Sequence, residues 1–405
     1  MRLAYIVSLF PKLSETFILR EILELKNRGH EITILSLKQD VEPLMHEEAR
    51  GLIPAVVYPR FGGALIAAFA FYLARSPLAL LRIVSVVTLS HLSRPAMLAR
   101  ALALIPVTLP LAKVLRDRHV EHVHAHWATW PALSAWIISR LNGIPYSVTG
   151  HAHDLFLPNP MLSRKVADSL FFATISEFNR ALLIQTCGPD ALNRVRLIRC
   201  GLPLKIFPFD ARAGRPATGQ PPLIVSVGRL VDYKGFDVLI RACALLRDAG
   251  REVRCLIAGE GPERSRLEAL VSELGLSRIV ELAGGCRQEE VIGMLDSAEL
   301  FVMASVRGSD GQQDGIPIVL MEAMALGVPA VSTKLSGIPE LVIDNQTGLL
   351  VTPGDEAHLA AAIKRLLDDQ ELAASLAKSA RQLIEKEYDL SASVTRLCEA
   401  FSEGQ

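Results

Sequence analysis

The chain lacks what several common functions require. Its Lys+Arg and Asp+Glu counts are equal at 43 each, so no bulk charge suits it to nucleic acid. Its six cysteines, at 187, 200, 243, 255, 286 and 398, include no CxxC pair. That argues against a disulfide scaffold, a zinc ribbon and a thioredoxin-type site, and fits a reducing compartment. No GKS or GKT is present, which excludes a P-loop. The opening MRLAYIVSLFPK has one arginine and an apolar run that breaks at Pro11 and Lys12 without a small-residue cleavage pattern. It reads as a first strand rather than a signal peptide. What is present is 405 residues, 50% hydrophobic and 21% charged, enough for two or three packed domains. The expectation is a soluble, cytosolic α/β chain.

From Leu223 onward, short apolar strands alternate with helices stopped by glycine. LIVSV precedes a helix Phe236–Ala249 ended by Gly250, and RCLIA precedes a helix Arg264–Leu274 ended by Gly275. RIVEL, a helix near Glu289–Ser297, ELFVMA, a helix Pro317–Leu326 ended by Gly327, and PAVST complete the series. This pattern means a parallel sheet covered on both faces. The first half repeats it less regularly. The segment 211–222, ARAGRPATGQPP, has linker composition. The organisation expected is a Rossmann-like domain over 1–210, a linker at 211–222, a second Rossmann-like domain over 223–385, and a final helix within 386–405. Two such domains set the carboxyl ends of their sheets toward a common cleft, where open α/β sheets bind ligands.

Neutrality overall conceals an asymmetry. Residues 60–118 hold eight basic groups and one acid, Asp117, a net charge of +7. This insert is strongly apolar, but its longest uncharged run, Phe61 to Ala74, is 14 residues, short of the roughly 20 that a span needs. Ser76-Pro77 and Arg94-Pro95 read as helix starts. Short, arginine-studded apolar helices suit an anionic bilayer surface. Helices packed into a core with arginines reaching outward have the same composition.

Three segments carry chemistry. Gly228-Arg229-Leu230 through Lys234-Gly235 follows a strand and enters a helix, so its two cations and the helix start can clamp a diphosphate. A solvated basic turn would hold the same residues. In Asp314 to Glu322, one carboxylate lies in a loop and one on an apolar helix, where burial demands a partner. Ribose hydroxyls or a salt bridge would serve, and Gly315, Ile316 and Pro317 at the helix start suit a phosphate. Third, His151 ends the strand YSVTG, where an imidazole bonds a sugar or acts as acid or base. His153 and Asp154 follow it. His122, His124 and His126 alternate on one strand face, which admits a metal or a wall of cleft histidines. Gly259-Glu260-Gly261 fails as a dinucleotide fingerprint, because Arg264 stands where a third glycine belongs.

Together these segments resemble glycosyltransferase family 4, retaining nucleotide-sugar enzymes of the GT-B fold, most strongly from about Pro222 to Asp355. The resemblance implies that Arg229 and Lys234, after Gly228, hold the donor pyrophosphate. It gives Glu322 the ribose and Asp314 the sugar, with aspartate standing where the family has glutamate. It implies that His151 contacts the transferred sugar, and that Glu260, Cys286 and Arg287 lie near the nucleoside. The opening FPKLSETF is similar to the colanic-acid-type exopolysaccharide subgroup. Ser14, Glu15, Thr16, His126, His153 and Asp154 are expected on the acceptor side. The final helix is expected to cross back to the first domain.

The activity implied is transfer of a sugar from a UDP- or GDP-sugar to a glycan acceptor, with retained configuration and by front-face attack. No metal or other cofactor is expected, because cations and a helix end stabilise the leaving diphosphate. Closure about 211–222 would exclude water. The apolar basic insert suggests a lipid-linked acceptor and a peripheral place on the inner face of the cell membrane. Three other readings are a nucleotide-sugar epimerase, a metal-dependent hydrolase built on His122, His124 and His126, and a non-catalytic nucleotide sensor.

Overall fold

The computed structural model describes residues 1–12, 15–39, 46–209 and 219–403. Ser14 and most of the expected linker, 211–218, lie outside them. The chain divides into two compact units, one of Met1–Arg199 with the residues from Ser393 onward, the other of Cys200–Ala392.

The first unit holds a seven-stranded sheet of β1 (Arg2–Leu9), β2 (Glu31–Lys38), β3 (Val56–Val57), β4 (His122–His126), β5 (Tyr146–Gly150), β6 (Phe172–Thr174) and β7 (Val195–Leu197). Their order is β3-β2-β1-β4-β5-β6-β7, and every pairing is parallel. β4 and β5 are buried along their whole length, as strands covered on both faces must be.

The second unit has β8 (Leu223–Val227), β9 (Arg254–Ala258), β10 (Val280–Gly284), β11 (Leu300–Met303), β12 (Ala330–Thr333) and β13 (Leu349–Val351). Their order is β10-β9-β8-β11-β12-β13, again all parallel. In each unit the order reverses beside the first strand, between β1 and β4 and between β8 and β11. Loops leaving the carboxyl ends there are where open α/β sheets bind ligands.

The unit boundary falls at Arg199, earlier than the expected 210. Leu202 N–H donates to Tyr388 O at 2.7 Å and Leu390 N–H to Leu202 O at 3.0 Å. Arg381 Nη1 donates to the carbonyls of Phe207 and Ala325, each at 2.6 Å. These bonds fix residues 200–209 to the second unit. In the helix Leu390–Ser402, residues from Ser393 group with the first unit. Phe401 lies there with its ring 4.9 Å from His122 and 5.6 Å from Phe171.

The basic insert forms three helices, Gly63–Arg75, Pro77–His91 and Pro95–Asp117. The last corrects the expectation of short helices only. It runs 23 residues through Pro106 and Pro110. Thr108 Oγ1 donates to Leu104 O and lies 3.1 Å from Ser134 Oγ on the helix Trp130–Asn142, which packs beside it. Among the described residues it is one helix long and apolar enough to cross a membrane, by length and composition. Ile105, Leu109, Leu111 and Leu115 are buried in the first unit's core. The two preceding helices pass the same test together, but they bend by 107° at their junction.

Candidate functional site

In the second unit, three loops at the carboxyl edge meet backbone to backbone. Gly228 N–H donates to Ala258 O at 2.9 Å, Leu230 N–H to Glu260 O at 2.8 Å, and Gly259 N–H to Gly284 O at 2.7 Å. Such closeness needs glycine. A Cβ on Gly235, at φ +67°, would stand 1.9 Å from Ala304 O, and one on Gly261 would stand 2.2 Å from Leu230 O.

This layer sets Lys234 against Asp314. Lys234 Nζ donates to Asp314 Oδ1 at 2.7 Å, and Ser305 Oγ donates to Asp314 Oδ2 at 2.5 Å. The two side chains are 13% and 10% exposed, so water screens the pair weakly. Lys234 and Asp314 therefore share one ion pair. Arg229 is exposed beside it, its Nη2 donating to Tyr233 Oη at 3.3 Å.

Glu322 is buried on the helix Ile318–Leu326. Gln288 Nε2 donates to its Oε1 at 3.1 Å. Gly315 and Ile316 immediately precede Pro317, which caps this helix. The Ser336 hydroxyl donates to the carbonyls of Asp314 and Gly315. Glu260 is exposed and paired with Arg264 at 2.9 Å. Cys286 Sγ donates to Gly284 O at 3.4 Å, and the exposed Arg287 caps the helix Gln288–Ser297.

In the first unit, the histidines of β4 are all buried. His122 Nε2 and His124 Nδ1 each lie 2.7 Å from Ser147 Oγ, and His124 Nε2 lies 3.0 Å from Thr149 Oγ1. A second chain runs outward from helix Thr16–Asn27. Tyr5 Oη donates to Glu21 Oε1 at 2.7 Å, the same oxygen lies 3.0 Å from His126 Nε2, and His126 Nδ1 lies 3.0 Å from His151 Nε2. With an ionised carboxylate and neutral rings, this chain has one consistent proton order. His126 donates Nε2–H to Glu21, so its Nδ1 accepts from His151 Nε2–H, and His151 Nδ1 is then the acceptor nitrogen. Burial above all, then the neighbouring His126 and His153, holds His151 well below the usual histidine range, which keeps it neutral.

Glu21, His124 and His126 place three ligand atoms within 4.8 Å of one another. All four of their ring nitrogens already have hydrogen-bonding neighbours, so a cation there would displace Ser147, Thr149, His151 or Tyr5. The bonding favours a histidine network over the metal reading of this strand.

The other acceptor-side residues separate by role. Asp154 is buried and accepts from the N–H groups of Ala128 at 2.7 Å, His151 at 3.1 Å and Ala152 at 2.9 Å. It joins the loops after β4 and β5, so its carboxylate is engaged by backbone on the expected acceptor side. Glu15 pairs with Lys12 at 2.7 Å, and Thr16 begins its helix. His153 lies with its ring 4.6 Å from that of Trp127, and Phe17 and Trp127 stand 4.7 and 4.6 Å from His151. Sequence reasoning missed Glu21, Gln288 and Ser305. Gln288 adjoins the quoted Cys286-Arg287, whereas Glu21 is 105 residues from His126 and left no local signal.

Comparison with known proteins gives the context. Residues 210–383 match the family model described as glycosyl transferases group 1. A glycosyltransferase named for colanic acid biosynthesis in Escherichia coli (strain K12) is 41% identical over 199 residues, 48% of each chain. The amylovoran biosynthesis glycosyltransferase of Erwinia amylovora is 35% identical over 218 residues, 54% of this chain and 52% of that one. The chain thus spans about half the length of these relatives. The solved Anabaena HepE, in complex with UDP and glucose, has a TM-score of 0.71 at 17% identity, covering 100% of both chains. That likeness shows the GT-B fold. Alpha-D-kanosaminyltransferase of Streptomyces kanamyceticus is 34% identical over 313 residues, 72% of this chain and 79% of that protein. At that identity and coverage, the chain belongs to the glycosyl transferases group 1 family.

Proposed function

We propose that the chain transfers a sugar from a UDP- or GDP-sugar to a glycan acceptor with retention, in assembly of an exopolysaccharide or other cell-surface polysaccharide. The observation that carries this is the shielded Lys234–Asp314 pair beside Arg229, on glycine-tight loops where the sheet order reverses. As the bond between the sugar's anomeric carbon and the diphosphate breaks, negative charge grows on the diphosphate. Arg229 and Lys234 meet that charge, and Glu322 takes the ribose. The new bond forms from an acceptor hydroxyl on the same face, its proton leaving with the departing phosphate oxygen. Asp314 and the acceptor nitrogen of His151 hold sugar hydroxyls. The relatives named for colanic acid and amylovoran support the product class, and the UDP of HepE supports the donor class.

No step in this scheme uses a metal, so activity is expected to survive chelation. In the same proposal the chain works on the inner face of the cell membrane, with a lipid-linked acceptor. Supporting this, no Asp or Glu occurs between Glu48 and Asp117, and the insert exposes large apolar side chains.

The test is calorimetric titration with UDP, GDP, ADP and NADH in EDTA, on wild type and Arg229→Ala. Selective binding of UDP or GDP that Arg229→Ala abolishes is expected. Preference for NADH, or binding only after metal is restored, overturns the proposal. Conversion of a UDP-sugar to its epimer without acceptor would replace it by the epimerase reading.

A further inference from the structure

The first unit carries an open groove of about 670 Å³, lined by Arg75, Ser76, Arg116, His119, Leu141 and Asn142. It lies where the helices Gly63–Arg75 and Pro77–His91 bend by 107°. Asn142 is engaged, its Oδ1 accepting from Tyr72 Oη at 2.9 Å and its Nδ2 donating to Ala112 O at 2.8 Å. Among the described residues, Arg75, Arg116 and His119 form no ion pair. The nearest acid in sequence, Asp117, is bound by Lys113 at 2.6 Å. Burial pushes the Tyr72 hydroxyl up to about 12, so it supplies no negative charge either. Cations that share a groove without a counter-ion repel one another, and an anion converts that repulsion into binding.

The two helices that meet at the groove expose apolar side chains along their length. Ile66, Phe69 and Leu73 on one helix, and Leu78, Leu81 and Leu89 on the other, are 50–70% exposed. Leu73 and Leu78 bracket Arg75 and Ser76 in sequence. Exposed apolar side chains on this scale mark a contact surface. With cations at the bend and the adjoining acid, Asp117, taken up by Lys113, the complementary partner is a surface of anionic heads over hydrocarbon.

We propose that this groove binds the phosphate of an anionic lipid headgroup, with the exposed side chains of the two helices seated in the acyl boundary. The proposal rests on the membrane-facing reading of this protein and gives it a specific headgroup site. Ser76 adds a hydroxyl at the cap of the second helix, whose side chain makes no capping bond.

The experiment measures cosedimentation with phosphatidylcholine vesicles, with and without phosphatidylglycerol. It compares wild type with Arg75→Gln/Arg116→Gln, with Leu78→Asn/Leu81→Asn, and with Arg82→Gln/Arg94→Gln as an equal-charge control. Thermal unfolding verifies that each variant is folded. Wild type is expected to prefer the anionic vesicles, and the groove variant to lose roughly tenfold to thirtyfold of that binding. The control is expected to lose at most a third as much on a logarithmic scale, and the leucine variant to lose binding to both vesicle types.

Equal losses in groove and control variants would mean diffuse attraction and overturn the groove, leaving the membrane reading intact. No vesicle binding by wild type would overturn both. Inorganic phosphate is titrated in parallel. If it binds the groove tightly and the leucine variant sediments like wild type, the ligand is a free phosphate and the lipid assignment fails. A dimer that covers the apolar helices in solution would overturn it as well.

Discussion

Replacing Asp314 by asparagine should weaken the free fold and tighten the grip on UDP, an opposition that follows from the pairing with Lys234. In the free protein, Asp314 Oδ1 is 2.7 Å from Lys234 Nζ and both side chains are about nine-tenths shielded. Breaking a fully buried pair costs about 3–5 kcal/mol. Here asparagine still accepts a hydrogen bond and the lysine has some access to water, so a loss of about 1–2 kcal/mol is expected. A diphosphate oxygen on the same ammonium would stand roughly 5–6 Å from the carboxylate, given one hydrogen bond on each side. At an effective dielectric near 20, two unit charges at that distance repel by about 3 kcal/mol, and partial solvent access halves this. Removing the carboxylate charge should therefore lower the Kd of UDP by about tenfold. The assay is calorimetry with UDP alone, alongside unfolding midpoints with and without UDP. The variant should have the lower midpoint when free and the larger rise when UDP is added. Lys234→Ala should instead weaken UDP binding. If Asp314→Asn leaves the free midpoint unchanged and binds UDP no better than wild type, the shared-cation argument is wrong.

Three further outcomes follow from other parts of the chain. Gly261→Ala puts a Cβ 2.2 Å from Leu230 O, and should destabilise the second unit by about 1–3 kcal/mol while weakening UDP. Gly293→Ala, in a helix with nothing within 4 Å, should stabilise it by about 0.5–1 kcal/mol, and urea unfolding compares the two. Burial pulls His122 down to about 3, so the unfolded chain binds a proton there that the folded one refuses. Its contribution is whole above about pH 6.5 and drains as pH falls toward 3. His122→Phe, which keeps the ring against Phe171 and Phe401, should flatten the acid limb of the unfolding midpoint against pH, and an unchanged slope would contradict the assignment. Finally, Glu21→Leu should scramble the proton positions of His126 and His151 while Glu21→Gln keeps more of the wild-type pattern, read from imidazole ¹⁵N shifts; identical spectra for wild type and Glu21→Leu would refute the proposed proton order.

The second unit was legible in the sequence because its logic is local. Each strand is a short apolar run, three of the helices stop at or just before a glycine (Gly250, Gly275 and Gly327), and Gly228 to Gly235 falls where a strand stops. Even Glu322 declared itself, since a carboxylate among Leu320, Met321 and Ala323 must find a partner. The identity of that partner was not legible, because Gln288 reaches Glu322 across 34 residues and nothing in either segment encodes the encounter. The same holds more strongly in the first unit. The alternation of His122, His124 and His126 was visible, and by itself it admitted a metal. Only the fold shows that Ser147 and Thr149, on the neighbouring strand, face two of these rings, and that Glu21 and His151 meet the third. Asp154 illustrates the converse. Its place after His151 suggested contact with a substrate, yet three backbone amides occupy its oxygens. A polar residue at a strand's carboxyl end is thus ambiguous until its bonds are counted. One whose oxygens are filled by backbone shapes a site, whereas one bonded to a titratable side chain, as Glu21 is to His126, decides where protons lie within it.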